Sequence, residues 1–308
     1  MTLQQLEYII AVEKHGQFVK AAAGCNVTQS TLSAMIQKLE QELDIVIFDR
    51  TNQPIKPTPQ GEIVLQRAKI ITYNAAQLLE SLQSERSREE GEIKIGIIPT
   101  VAPYIVPKLI KLVNERFPKI NLSITEARTS VLVEKLECAE LDTALMATPL
   151  DNKELLEVPI YYEEFLAYIA PKEALHSNTE IDSSQLANQN IWLLKEGHCL
   201  RNQVLDICKG ESANGTIYEA GSIDTLVKIV DHNGGCTIIP KLHVDLLNPE
   251  QRLNVRPIAT QKPNREVSLV VRSDYIRERI INIIADIIKD IVPQEMIDER
   301  LKRYSIRF

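Results

Sequence analysis

Cysteine is scarce and scattered in this sequence. The five residues, Cys25, Cys138, Cys199, Cys208 and Cys236, are odd in number and include no CxxC pair. That spacing excludes a structural disulfide framework and a zinc site, and leaves single reactive thiols. Histidine is equally thin: His15, His176, His232 and His243 lack metal-ligand spacing and are expected at the surface or at helix ends, so no metal and no cofactor is expected. No apolar run reaches the roughly 18 residues of a membrane helix. The opening Met1-Thr2-Leu3-Gln4-Gln5 has neither a basic nor an apolar leader, so the expectation is a cytoplasmic chain with no membrane partner. Positive charge is also lacking. Lys and Arg total 35 against 42 Asp and Glu, for a net charge of −7. The first 60 residues carry Lys14, Lys20, Lys38, Arg50 and Lys56 against Glu7, Glu13, Glu40, Glu42, Asp44 and Asp49. A nucleic-acid function therefore has to rest on a motif and on local charge placement, not on a bulk basic surface.

What is present divides the 308 residues into three regions, as expected for a chain too long for one core. Residues 1–58 read as short helices followed by a β-ribbon. Leu3, Leu6, Ile9 and Ile10 repeat at helical spacing up to Gly16, and Phe18 to Gly24 forms a second helix. Thr28 to Leu43 is a third, with Leu32, Met35, Ile36, Leu39 and Leu43 on one face. Ile45–Phe48 and Ile55-Lys56 are expected to pair as a small ribbon. Residues 59–90 read as a long helix, capped by Thr58 and started by Pro59, running into a charged linker. Its stripe of Ile63, Leu65, Ala68, Ile71, Ala75, Leu78, Leu79 and Leu82 has no core of its own, which is the pattern of a dimerisation helix. Residues 91–308 alternate strands and helices. The expected strands are 93–98, 122–126, 143–146, 165–169, 191–194, 216–219, 236–239 and 267–271, in mainly parallel sheets. This length divides into two lobes around a cleft, with ligand sites at strand C-termini. The fold class is α/β behind an N-terminal winged helix-turn-helix.

The segment from Phe18 to Ile36 carries the DNA-reading pattern. Ala21 and Ala22 allow two helices to cross closely, and Cys25-Asn26-Val27 forms the turn. Thr28 caps the next helix, and Gln29, Ser30, Thr31 and Ser33 crowd its first turn. There a recognition helix presents side chains to the major groove, Gln to adenine and hydroxyls to bases or phosphates. An ordinary helical hairpin with a wet polar face has the same pattern.

The second informative stretch runs from Glu196-Gly197-His198-Cys199-Leu200-Arg201 to Cys208. It follows an expected strand and opens a helix, where the dipole favours a thiolate at Cys199. Ionisation alone does not make a fast redox sensor, so donors must hold the oxidant and its leaving atom. The spacing of nine is equally informative. Nine helical residues rise about 13.5 Å and end half a turn out of phase. A disulfide needs Cα atoms within about 7 Å, so Cys199 and Cys208 cannot bond while the segment stays helical. The residues alone leave two readings open: a redox pair that remodels its helix, or two structural cysteines on an amphipathic helix. Gly234-Gly235 reads as a turn before a strand and not as a phosphate loop; Cys25, Cys138 and Cys236 read as small buried hydrophobes.

Taken together, Ala21-Ala22, Val27 to Ser33, Ile36, Leu39-Glu40, Phe48, Arg50 and Thr58-Pro59-Gln60-Gly61 resemble the N-terminal domain of LysR-type transcriptional regulators. The resemblance covers the whole chain in order: winged helix-turn-helix, linker helix, and a two-lobed effector domain like those of periplasmic binding proteins. It implies double-stranded promoter DNA as partner, homodimers that pair into homotetramers, RNA polymerase as a further partner, and Arg50 on the phosphate backbone or minor groove. Cys25 stands where the family has Leu, and Asp44 and Ala139 stand where it favours Gly. Gly197 to Arg201 with Cys208, Ile97 to Tyr104, Glu126 to Thr129 and Gly235 to Pro240 resemble the peroxide-sensing branch of that family. That likeness implies Cys199 as peroxidatic thiol and Cys208 as resolving thiol. It also implies Thr100, Thr129 and His198 as the peroxide-holding residues. Three rivals remain: a regulator binding a small organic effector in the cleft, a thiol peroxidase, and a periplasmic solute-binding protein. The peroxidase leaves residues 1–90 without a role, and the expected absence of a signal peptide and the helix-turn-helix argue against the solute-binding protein.

Overall fold

The computed structural model describes residues 1–51, 53–83, 91–186, 189–208, 220–259, 262–275 and 278–299. The chain forms two compact units, one of Met1–Arg88 with Glu137–Glu140, the other of Glu89–Leu136 with Leu141–Phe308.

The first unit begins with α1 (Leu3–His15), whose Thr2 side chain accepts from Gln5 N while the Gln5 side chain accepts from Thr2 N at 2.9 Å. Gly16 closes it in the left-handed region at φ +62°. Helices α2 (Phe18–Gly24) and α3 (Gln29–Leu43) follow. Ile9, Val12, Ala21, Leu32, Ile36 and Leu39 are fully buried between them, and Ala21 supplies the close crossing that its size allows. The ribbon is shorter than its apolar run predicts: β1 (Phe48–Asp49) pairs antiparallel with β2 (Lys56–Pro57). Glu40 explains the difference. Its Oε1 accepts from Ile47 N at 2.8 Å and Phe48 N at 3.4 Å, so those amides are capped by a side chain and not by a partner strand.

Helix α4 (Pro59–Gln83) starts where expected, with Thr58 Oγ1 accepting from Gly61 N at 3.0 Å. Its stripe divides. Leu65 and Ala68 enter the core at 1% exposure, whereas Ile63 and Leu78 remain 63% and 59% exposed. Gly61 has a steric reason. A Cβ there would lie 2.0 Å from the carbonyl oxygen of Ile47, which also accepts from Thr58 N at 2.9 Å. Asp44 and Ala139, where glycine was expected, adopt φ of +53° and +56°. Each carries the steric cost of a left-handed residue, roughly 1–2 kcal/mol.

The second unit contains β3 (Gly91–Ile97), α5 (Ala102–Arg116), β4 (Ile120–Glu126), α6 (Thr129–Glu137, its last residue in the first unit) and β5 (Thr143–Thr148). It continues with β6 (Leu155–Ile169), α7 (Ser183–Leu186), α8 (Cys199–Cys208), α9 (Ile223–Asn233) and β7 (Cys236–Pro240). Helix α10 (Pro249–Arg252), β8 (Val255–Pro257), β9 (Asn264–Arg272) and α11 (Glu278–Ile291) complete it, with 3-10 turns at Ala174–Ser177, Lys241–Leu246 and Gln294–Met296. The strand order is β4-β3-β5-β9-β6-β7, with β8 also on β6.

The sheet is mixed, which corrects the mainly parallel expectation. β3 is parallel to β4 and β5, but every pairing of β6 and β9 is antiparallel. The reason is connectivity. β6 is one 15-residue strand that pairs with β9 over Leu155–Glu164 and with β7 and β8 from Phe165 onward, so it leaves one lobe and enters the other. β9 brings the chain back, and two crossing strands that run out and return are necessarily antiparallel. The expected strand 191–194 supplies only isolated bridges, Ile191 to Cys236 and Leu194 to Ala220. The expected strand 216–219 lies outside the described residues. No helix among the described residues is long and apolar enough to cross a membrane.

Gly61→Ala tests the docking of α4. The added methyl has backbone and no flexible side chain in its way, so overpacking of about 1–3 kcal/mol is expected. The thermal unfolding midpoint of the first unit should drop by several degrees while that of the second stays unchanged.

Candidate redox site and nucleic-acid interface

The loop Lys195–His198 delivers Cys199 to the first position of α8. Gly197 makes this entry possible at φ +89°, and a Cβ there would press on the Arg128 side chain at 3.1 Å. Arg201 donates from Nη1 to Leu194 O at 2.9 Å, tying the first turn of α8 to the preceding bridge. Cys199 is partly buried, and its Sγ lies 2.9 Å from Thr129 Oγ1, with either atom able to donate. Thr129 is itself the first residue of α6. The sulfur therefore meets the first turns of two helices, where dipoles and free amides favour negative charge developing during a reaction.

His198 is 7% exposed. Burial lowers its pKa and the charge of Arg128 lowers it further, so its ring is neutral at pH 7. Cys208 ends α8. The nine helical steps from Cys199 to Cys208 separate the two Cα atoms by about 13.5 Å along the axis. The segment after Cys208, residues 209–219, lies outside the described residues.

Thr100 follows β3 and is 5% exposed, but no hydrogen bond joins it to Cys199. Instead Thr100 Oγ1 accepts from Arg265 Nη1 at 2.9 Å and Thr100 O from Arg265 Nη2 at 3.0 Å. Arg265, on β9, and Glu163, on β6, are both fully buried and paired at 2.7 and 2.9 Å. Burial pulls the Arg265 pKa down. Glu163, with the phenols of Tyr104 and Tyr161, overcomes that and raises it, so the guanidinium stays charged. Tyr104 donates to Thr100 O and accepts from Arg265. The sequence reading missed this cluster. A lone Arg or Glu in a strand pattern signals nothing until the strands are paired.

Three minor expectations change. Cys236 is buried as expected, but Cys25 and Cys138 are only half-buried, Cys25 because it caps the C-terminus of α2 at the turn. His243, expected at a surface or helix end, is 1% exposed. The 3-10 turn carries it inward; burial lowers its pKa, Asp224 opposes and Arg265 reinforces that shift.

In the first unit Thr28, Gln29, Ser30 and Thr31 are exposed at the start of α3, and Ser33 is half-exposed. Thr28 Oγ1 accepts from Thr31 N at 3.2 Å and contacts the hydroxyls of Ser30 and Thr31 at 2.9 and 2.8 Å, leaving Gln29 as the long side chain that projects. Arg50 donates to Glu40 Oε2 at 2.7 Å and lies over the Phe18 ring, 5.2 Å from its centre. One side of its guanidinium is thus committed to its own domain. The side chain remains 40% exposed, and an arginine has five donors.

Residues 3–62 match the bacterial regulatory helix-turn-helix protein, lysR family, and residues 86–290 match the LysR substrate binding domain. A hydrogen peroxide-inducible genes activator from Haemophilus influenzae is 34% identical over 95% of this chain and 99% of its own. A solved full-length OxyR variant from Pseudomonas aeruginosa has a TM-score of 0.80 and 32% identity, covering 94% of this chain and 98% of that one. A hydrogen-peroxide-bound OxyR mutant from Corynebacterium glutamicum has a TM-score of 0.61 and 28% identity, with 94% of each chain covered. With both domain matches in place, in the order the fold displays them, the chain belongs to the LysR family of DNA-binding transcriptional regulators.

Proposed function

We propose that this regulator detects hydrogen peroxide at Cys199 and converts the oxidation into a changed arrangement of its DNA-binding domains. The observation that carries the reading is the 2.9 Å contact between Cys199 Sγ and Thr129 Oγ1 at the joint start of α8 and α6. It fits relatives described as hydrogen peroxide-inducible activators. The Cys199 thiolate attacks one peroxide oxygen. The O–O bond breaks, an S–O bond forms, and the departing hydroxide takes up a proton to leave as water. Sulfur is oxidised to sulfenic acid and peroxide is reduced. Toward a thiolate Thr129 is the donor, because the sulfur has no proton to give. Thr129, Thr100 and neutral His198 hold the peroxide and the water that forms.

The Cys208 thiol then attacks the sulfenic sulfur, a disulfide forms and a second water leaves. With about 13.5 Å of helix between the two residues, α8 must unwind first. The hydrogen bonds lost in unwinding oppose the disulfide, so the oxidised form is readily reduced. α8 packs in its lobe through Leu200 and Val204, both buried, so its remodelling alters that lobe's surface. Effector domains that pair through this surface change their pairing, and the DNA-binding domains change their spacing. The exposed Ile63, Ile71 and Leu78 of α4 fit a dimerisation role for the 59–90 linker between a 1–58 DNA-binding domain and a 91–308 sensing domain. A homotetramer on double-stranded promoter DNA in the cytoplasm, acting with RNA polymerase, completes the proposal.

Cys199→Ser should abolish the peroxide response. Cys208→Ser should still consume one equivalent of peroxide and stop at sulfenic acid or a mixed disulfide, read by mass spectrometry of the Cys199 peptide. Thr129→Val removes the hydroxyl at nearly constant volume and should slow oxidation of Cys199 by roughly 10- to 100-fold; an unchanged stopped-flow rate contradicts the assigned role. On DNA, Gln29→Ala should relax base preference at one position by about 1–3 kcal/mol, as measured against single-base operator variants. Arg50→Ala should weaken all sequences alike, and it should also lower the stability of the first unit by breaking the Glu40 and Phe18 contacts.

A further inference from the structure

We propose that Glu163 is a positioning residue for the peroxide reaction, acting through Arg265 to make the Thr100 hydroxyl an obligatory hydrogen-bond donor. The inference rests on the peroxide reading above and deepens it. A guanidinium has donors and no acceptor. With Arg265 Nη1 donating to Thr100 Oγ1 at 2.9 Å, the Thr100 hydrogen cannot point back at Arg265 and has to point elsewhere. Among the described residues no hydrogen bond takes it up, although Thr100 is 5% exposed. A buried donor without a protein acceptor awaits one from a ligand. The peroxide oxygen that leaves as hydroxide is such an acceptor, and its need for a donor grows as the O–O bond breaks.

That polarity depends on how the guanidinium is held. Glu163 Oε2 accepts from both Arg265 Nε at 2.9 Å and Nη2 at 2.7 Å, which fixes the plane of the group and leaves Nη1 for Thr100. The other oxygen, Oε1, accepts from Leu242 N at 2.8 Å, at the 3-10 turn after β7. Glu163 therefore needs both oxygens as acceptors, and both donors sit on different elements. It stands on β6 two residues before Phe165, where the sheet pairing changes from β9 to β7, so the setting of Thr100 in one lobe is tied to the backbone of the other. Tyr104 closes the arrangement by accepting from Arg265 and donating to Thr100 O.

The test uses the full-length chain and two reagents. Hydrogen peroxide needs the donors; iodoacetamide alkylates the same sulfur without them. Glu163→Gln turns one acceptor into a donor, so it cannot satisfy both Leu242 N and Arg265. Glu163→Asp keeps the charge and draws the carboxylate back by one methylene. Both variants should slow peroxide oxidation of Cys199 by roughly 10- to 100-fold, with alkylation kept within about threefold of wild type. Adding Thr100→Val to either should cost nothing more than Thr100→Val alone, because the two act on one hydrogen bond. Should Glu163→Gln fail to fold, Glu163→Asp decides. Wild-type peroxide rates in the variants, a parallel loss of both reactions, or additive losses with Thr100→Val would each overturn the inference. A wild-type Cys199 indifferent to peroxide would instead overturn the functional reading beneath it.

Discussion

The ion pair between Arg265 and Glu163 is made without access to water, and that circumstance constrains everything around it. Removing two charges from solvent is costly, and their attraction offsets the cost only when every remaining donor and acceptor is satisfied. Here the guanidinium reaches Glu163, Thr100 and Tyr104, and the carboxylate also accepts from the backbone of Leu242. Breaking the pair by losing one partner costs on the order of 3–5 kcal/mol, because an uncompensated charge stays inside. β6 and β9 cannot slide past each other without that loss. The crossing between lobes is thereby set in register, and with it the distance from β3 to the turn after β7.

On that rigid crossing the thiol pocket uses the cheapest electrostatics a fold provides. Thr129 opens α6 and Cys199 opens α8, and the 2.9 Å contact between them sets one sulfur beside the first turns of both helices. No metal is needed to favour negative charge there, and His198 is kept neutral by burial and by Arg128. The helix that opens at Cys199 ends at Cys208, about 13.5 Å further along its axis. While that segment stays helical, the two residues lie too far apart for a disulfide.

The DNA-reading unit solves a different problem, a binding surface without surplus positive charge. Glu40 is its organising residue. It caps the amides of Ile47 and Phe48 with one oxygen and holds Arg50 with the other. The wing-region Arg50 is thus oriented by an acidic side chain and lies against Phe18. At the start of α3, Thr28 holds the first turn and Gln29 stands exposed beside its hydroxyl neighbours.

Much of this was legible in the order of residues. Caps at Thr28 and Thr58, the close crossing at Ala21, the buried face of Leu32, Ile36 and Leu39, and the helix opening at Cys199 all follow from short-range spacing. Each depends on neighbours within a turn or two, so the sequence by itself determined the helix-turn-helix, the long helix and the thiol motif. The first ten residues of β6 were not legible, because Glu157, Glu163, Glu164 and Pro159 interrupt the alternation that marks a strand. The inward path of His243 and the sharing of Ile47 O between Thr58 and the steric limit at Gly61 were hidden in the same way. Only the tertiary structure decided the antiparallel crossing, and only it joined Arg265 to Glu163 across 102 positions and to Thr100 across 165. The physical reason is that a buried charge is stable only beside its partner, and the partner's position is set by strand pairing, not by proximity along the chain.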